Sequence, residues 1–495
     1  MSLSDPNATP SALAAAALLR SQPANGRLLS GAWISTTPWT AAPASPMPDF
    51  SSQYLEFYAE SGGANGSGFP SIMGIEDFSP RPGAWAGYYG TTVVPHCQAG
   101  GLAALLFVPA AYSHSYGPNN DGWPIMGKGT GYQANQTWFQ GLGKATSAFS
   151  IGAIAGFGNG TGTIPCSNAG TNFPTSGILY VETSLGYAIV TYTGIGSGGT
   201  SFTGCSCTIL GSSVKSKAAI VDYSLLIPGT PQNAGLNTCL DDLAAQIVFL
   251  DQFNIAPMVR ILWEPNQPVL SATAWFIRTP KTYYQALWSY FRNYIIGSTA
   301  SIPVAGADGV FTTSPQPVVA TGVNWVGNAI RPTHNALWTF TDIGGKNGFS
   351  TNSICAPRGM VDVVGFDFYT SAPADWATFG STPSSQWDSA RAYYWSQNPS
   401  DAIMGFTETG YRLKSGSALD WLPALTQFTD QSGIAYGPAF FISWTDQGAT
   451  HFTVNRISPF DKTNFSSFWN HPPMKNLSPG AWPMSAQSAG GAAFS

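Results

Sequence analysis

Pro257-Met-Val-Arg-Ile-Leu-Trp-Glu264-Pro-Asn266 and Ala402-Ile-Met-Gly-Phe-Thr-Glu408-Thr-Gly410 share one design: a short apolar run that ends in a glutamate. Six more short apolar runs are spread along the chain, at Gly31–Ser35, Ser71–Ile75, Leu102–Val108, Ala336–Phe340, Val361–Phe366 and Pro438–Trp444. Several are continuously apolar rather than alternating, as strands covered on both faces of a parallel sheet must be. Between them lie stretches with helical spacing. Leu240 to Phe253 carries apolar residues three and four apart, and Thr282 to Ile296 follows Pro280, a residue suited to a helix start. Eight strands alternating with helices predict an α/β fold, a (β/α)8 TIM barrel.

One interval breaks the alternation. More residues separate Val108 from Leu240 than a strand-to-helix loop needs. Within it, Ile178-Leu-Tyr-Val181 and Ala188-Ile-Val-Thr-Tyr192 flank Thr183-Ser-Leu-Gly186, which reads as a hairpin. The expected organisation is an N-terminal arm with a short helix (1–27), barrel strands one to three (28–114), a mostly β insertion after strand three (115–235), strands four to eight (236–455) and a C-terminal extension (456–495).

Composition excludes several classes of function. Only 9% of residues are charged, 20 Lys and Arg against 25 Asp and Glu, where about 25% is ordinary. With 17 Trp, 20 Tyr and 29 Phe, the chain is too aromatic for a disordered protein. A net charge of −5 and the lack of any Lys/Arg run argue against nucleic acid. The apolar run Ala12–Leu19 is too short to span a bilayer, lacks the basic flank of a secretory signal, and reads as a short helix. The six cysteines, at 97, 166, 205, 207, 239 and 355, lack zinc-ligand spacing. They are expected as buried free thiols, or with one disulfide within 166–207. No metal or cofactor is expected: there is no H-E-x-x-H, G-x-S-x-G or P-loop pattern.

The glutamates then stand out. Six occur in the whole chain, and two of them, Glu264 and Glu408, close strands four and seven. The C-terminal ends of barrel strands are where active sites are built. Two carboxyl groups in one cleft suit glycoside hydrolysis, one protonated to serve the leaving oxygen and one ionised to attack. A helix cap or an ion pair is the plainer role for any one such residue.

The segment Arg260-Ile-Leu-Trp-Glu264-Pro-Asn266, with Trp275-Phe276 and Thr279 to Trp288 after it, resembles glycoside hydrolase family 26. So do Gly31-Ala-Trp33, Val361 to Tyr369, Phe406-Thr-Glu408-Thr-Gly410 and Ile442-Ser-Trp444, in the same order. That resemblance implies a retaining barrel enzyme acting on a polysaccharide, with Glu264 as acid/base and Glu408 as nucleophile. Arg260, on the same strand face as Glu264, would keep Glu408 ionised. Tyr369 would donate to the nucleophile, Trp444 would stack on the sugar, and Asn266 would support the site. The chain departs from the family pattern at Trp263, where a His or Asn is usual, and at strand three, where His114 or Tyr112 takes the place of the usual His.

Within the insertion, Phe173 to Val181, Val190 to Gly194 and Ser201 to Cys205 resemble a short β element of tail proteins from phages of actinobacteria. This implies a virion tail protein, with other tail proteins as partners and possible homo-oligomers, acting outside the cell on a host envelope polysaccharide. A catalytically inactive receptor-binding barrel and a free secreted glycosidase are the alternatives.

Overall fold

The computed structural model describes residues 3–25, 27–35, 71–77, 89–107, 142–167, 169–208, 210–223, 226–227, 231–262, 264–266, 281–297, 300–305, 311–316, 332–343, 354–370, 386–411, 437–443 and 474–475. Contacts divide the chain into two compact units. One comprises 1–108, 243–268 and 333–495; the other comprises 109–242 and 269–332.

The first unit is a closed, parallel, eight-stranded barrel with helices. Its strands are Leu28–Ser35, Ile72–Asp77, Leu102–Phe107, Met258–Ile261, Leu337–Ile343, Val363–Thr370, Met404–Tyr411 and Phe440–Ser443. They neighbour one another in chain order. The first and eighth then close the ring through Leu29↔Phe440 to Ala32↔Ser443. These are the eight apolar runs of the sequence. Their continuous hydrophobicity has its cause here, since residues facing the interior and residues facing the helices are both buried. All four residues of Met258–Ile261 are buried. Phe366 and Phe406 point outward to Trp387 of helix Gln386–Tyr394, with ring centroids 5.7 Å away in each case. Each fully buried aromatic or aliphatic side chain of this layer contributes about 1.5–3 kcal/mol relative to exposure. The C-terminal extension supplies a further short strand, Met474–Lys475, parallel to Leu28 and Leu29.

The N-terminal arm belongs to the same unit. Its helix runs Pro10–Ala24, longer than the apolar run suggested, with Thr9 as N-cap accepting from the Ala12 N–H. Ala12, Ala15, Ala16 and Leu19 form its buried face. The arm is fastened at the start of strands five and six. The Ser4 N–H donates to Asp362 (2.6 Å), Asp5 pairs with His334 (2.8 Å), and the Thr9 hydroxyl donates to Asn335 (2.5 Å).

His96, on helix Val94–Gln98 ahead of strand three, is fully buried with Nε2 3.2 Å from the Ser71 carbonyl. Gly101 lets the ring fit, since a Cβ there would lie 2.2 Å from Nε2. Burial pushes the imidazole down to about 4. The unfolded chain, with an ordinary His near 6.5, binds a proton that the folded chain refuses. Stability is therefore whole above pH 6.5 and falls as pH drops from there toward 4, by about 3 kcal/mol for this residue. Urea midpoints taken between pH 7 and pH 4 should show that slope. His96→Gln should flatten it, and an unchanged slope in the variant would contradict the assignment.

In the second unit, residues 142–222 form small antiparallel sheets, the mostly β insertion after strand three. The expected hairpin is Gly177–Thr183 with Gly186–Tyr192, turning at Ser184 and Leu185. Phe173, Tyr192, Phe202 and Cys205 are buried in one core with Ile151, Phe157 and Ile164. Phe173 meets Phe202 edge-on at 4.9 Å. Helix Lys281–Ile296 groups with this unit. Tyr283 donates to the Asp222 carbonyl (2.7 Å), and Tyr180 lies 2.5 Å from the Thr282 hydroxyl. A hairpin of Ala300–Ala305 with Phe311–Gln316 was not foreseen, and the unit extends beyond the 115–235 segment read from the sequence. Cys97, Cys166, Cys205, Cys207 and Cys355 are free thiols. Burial pushes Cys166 and Cys205 up to about 12, so they pack as small apolar groups rather than reactive ones.

Candidate active site

Strand four carries Arg260 into the barrel interior, where it is 1% exposed. The strand then stops. Leu262 and Glu264 both adopt left-handed backbone, with φ of 48° and 49°. Such residues cost about 1–3 kcal/mol each and gather where geometry serves function. Strand alternation therefore does not place Glu264 on the face of Arg260, contrary to the expectation. A turn does, anchored where the Glu264 N–H donates to the Thr341 carbonyl of strand five (3.0 Å). Asn266 locks the chain just beyond. Its amide donates to Asp342 (2.9 Å) and to the Ile354 carbonyl (2.8 Å), and accepts from the Ile354 N–H (3.0 Å). With both amide protons so used, Asn266 braces the loop and has no donor left for a ligand.

Strand seven delivers Glu408 by an irregularity. Phe366 of strand six pairs with Phe406, but the next pair is Asp367 with Glu408, so Thr407 is an extra residue. In a regular strand Glu408 would share the outward side of Phe406. The bulge turns it inward beside Asp367, as bulges near active sites do. Thr407 donates its hydroxyl to Asp367 (2.8 Å). It also fills the space over Gly365, where a Cβ would lie 2.2 Å from its Cγ2.

Arg260 joins the two strands. One guanidinium nitrogen bonds Glu408 and the other bonds Asp367, both as ion pairs. Glu264, Asp367 and Glu408 each present a carboxylate oxygen within 4.8 Å of the others. Burial alone would lower the pKa of Arg260, but the charges of Asp367, Glu408 and Glu264 outweigh it and raise it. Burial, and then the charge of Glu408, push Glu264 up to about 8 against the pull of Arg260. Burial also pushes Asp367 well up, again opposed by Arg260. Glu264 and Asp367 are hydrogen-bonded carboxyl groups, and such a bond requires a proton between them. The site thus holds a protonated acid next to a carboxylate ion-paired with arginine. Among the described residues this is the only cluster with a metal-like donor set. The guanidinium already occupies the cation's place, so a metal ion would have to displace it.

Of the residues singled out in the sequence, Arg260, Glu264, Glu408 and Asn266 come together here. Tyr369 lies on strand six, its backbone paired with Gly410, and its side chain is outside the described residues. Trp263, Trp444, His114 and Tyr112 are outside them altogether. Asp367 and Thr407 were missed, although a lone acidic residue inside the run Val363-Val-Gly-Phe-Asp367-Phe was a signal for the first.

No family model matches the chain, and no curated protein matches it. Solved structures with a similar outline include an endo-β-mannanase/endo-β-glucanase of Prevotella bryantii (13% identity, TM-score 0.48), covering 97% of this chain and 48% of that one. This chain therefore spans about half the length of that enzyme. The glycoside hydrolase family 26 domain of such an enzyme from the same organism covers 97% of this chain and 99% of that chain at the same identity and score. A mannanase of Bacillus subtilis covers 96% and 95%, with 12% identity and a TM-score of 0.48. At these scores the barrel rests on its own strand ladder. No helix among the described residues is long and apolar enough to cross a membrane.

Proposed function

We propose that the barrel is a retaining glycoside hydrolase acting on a polysaccharide. The observation that carries this is the pairing of an acid held protonated at neutral pH, Glu264, with Glu408, a carboxylate ion-paired to Arg260. Their oxygens lie within 4.8 Å. Retaining enzymes place the two carboxyl groups about 5–5.5 Å apart, whereas inverting enzymes need about 6.5–9.5 Å to admit a water. Glu264 gives its proton to the glycosidic oxygen as Glu408 attacks the anomeric carbon, and a glycosyl ester forms on Glu408. Glu264, now a carboxylate, takes a proton from water, which cleaves the ester. The hydrogen bond from Asp367 favours the ionised form of Glu264, the form left once its proton has gone to the glycosidic oxygen, and Arg260 balances the charge of Glu408.

The setting we propose is a phage tail, where the enzyme meets a host envelope polysaccharide. The support is the sequence resemblance of the insertion, whose Phe173, Tyr192, Phe202 and Cys205 form one core. Mass spectrometry of purified virions tests the setting, and absence of the protein from particles would favour a free secreted enzyme.

Reducing-sugar release from a panel of envelope glycans tests the chemistry. An active enzyme should lose kcat/KM about tenfold per pH unit above about 8, where Glu264 gives up its proton. No release from any glycan would leave a sugar-binding barrel as the reading. Activity that does not decline at alkaline pH would remove Glu264 from the acid's role.

A further inference from the structure

The bulge of strand seven depends on strand one. Against strand eight, Phe406 pairs with Phe441 and then Thr409 with Ser443, so Thr407 and Glu408 together face the single residue Ile442 and strand seven carries one extra residue on that side as well. Trp33 of strand one donates its indole N–H to the Thr407 carbonyl at 2.5 Å. The indole is 1% exposed. It lies against Gly74 of strand two, where a Cβ would come within 2.5 Å of the ring. The guanidinium carbon of Arg260 is 5.7 Å from the ring centre, within the range of a cation–π contact. One side chain thus touches the carbonyl that immediately precedes Glu408 and the cation with which Glu408 pairs.

We infer that Trp33 is the positioning residue for Glu408: its N–H holds the Thr407 bulge that turns Glu408 inward, and its ring keeps Arg260 in place to receive it. This rests on the reading of Glu408 as nucleophile. Neither contact is a generic packing interaction. An inserted strand residue loses ladder partners, and a buried carbonyl left without a donor favours a return to regular pairing. Regular pairing would put Thr407 opposite Asp367 and turn Glu408 toward the side of Phe406. The small residue at Gly74 gives the indole room to reach the carbonyl across the barrel.

Trp33→Phe keeps a ring against Gly74 and Arg260 but removes the N–H. It should lower kcat about 10²-fold, the scale of an ångström-sized misplacement, with KM changed less than about threefold. A second readout needs no substrate. The Glu264 midpoint, followed by NMR of labelled glutamate side chains, should move down from about 8, because the nearby Glu408 charge helps to hold it up. Trp387→Phe is the matched control: a fully buried indole on the outer side of strands six and seven, expected to leave both readouts unchanged. A Glu264 midpoint unmoved in Trp33→Phe, or moved equally in Trp387→Phe, would overturn the inference. Lack of turnover by the wild type would instead count against the proposed function, and the NMR titration would still decide the role of Trp33. If Trp33→Phe does not fold, exchange of the Trp33 indole proton in the wild type decides. It should be among the slowest indole protons, and fast exchange would refute the hydrogen bond.

Discussion

Glu408→Gln is expected to lower turnover by about 10⁴-fold or more, on the scale of losing a nucleophile, while leaving the fold intact. The amide has the volume of the acid and still offers an oxygen to Arg260, so the barrel interior keeps its packing. What it loses is the charge that attacks the anomeric carbon. Glu264→Gln should behave differently. It removes the proton donor, so natural glycans should turn over poorly, whereas aryl glycosides whose leaving group needs no proton should still form the glycosyl intermediate. With Glu408→Ala, added azide should restore some turnover and yield a glycosyl azide of inverted anomeric configuration. Reducing-sugar release and product NMR measure these outcomes. Equal residual activity in both variants on both kinds of substrate would mean that the two carboxyl groups do not divide the roles as assigned.

Arg260→Met should be among the most destabilising single substitutions in the barrel, at about 3–5 kcal/mol. It removes the one cation between two buried acids, Asp367 and Glu408, and leaves a side chain of similar length. The loss should depend on pH. Without the guanidinium, which in the wild type opposes the effect of burial, the folded protein keeps Asp367 protonated to higher pH than the unfolded chain does. Its contribution is then present at low pH and disappears as pH rises through the raised folded value. Urea titration should accordingly find the variant closer to wild type at pH 5 than at pH 8. The triple variant Arg260→Met, Asp367→Asn, Glu408→Gln should recover much of the loss, because a neutral cluster no longer demands a counter-ion. A single variant as stable as wild type at pH 8 would show that Arg260 is not the partner of these charges.

The barrel was legible because its strands are buried on both faces, which leaves each as an apolar run long enough to notice. Glu264 and Glu408 were legible for a related reason: in a chain with so few charges, an acid at the end of such a run has no solvated face to explain it. The bulge at Thr407 was not legible. Alternation has a period of two, and one extra residue shows only in pairing to strands far away in sequence. The same limit applies to Glu264, whose shared face with Arg260 was inferred from a strand that ends three residues earlier; left-handed backbone at Leu262 and Glu264 leaves no mark on hydrophobic pattern. Asp367 was visible as a letter inside strand six, but its importance comes from a proton shared with Glu264 and a guanidinium shared with Glu408. Those are tertiary facts. The hairpin Ala300–Gln316 was missed because Pro303 and Pro315, residues that cannot donate to a ladder, fall within it.

Closure of the ring through Leu29 and Phe440 sets an order on the folding of this chain. The first strand is made long before its partner on one side, the eighth and last strand of the ring. Until then strands one and seven each present an open row of backbone donors and acceptors, the kind of edge that recruits other chains. Ser4 and Thr9 likewise wait for Asp362 and Asn335. Contacts so remote in sequence slow folding, and a ribosome-bound chain that stalls before Phe440 would be a seed for aggregation rather than a smaller working protein.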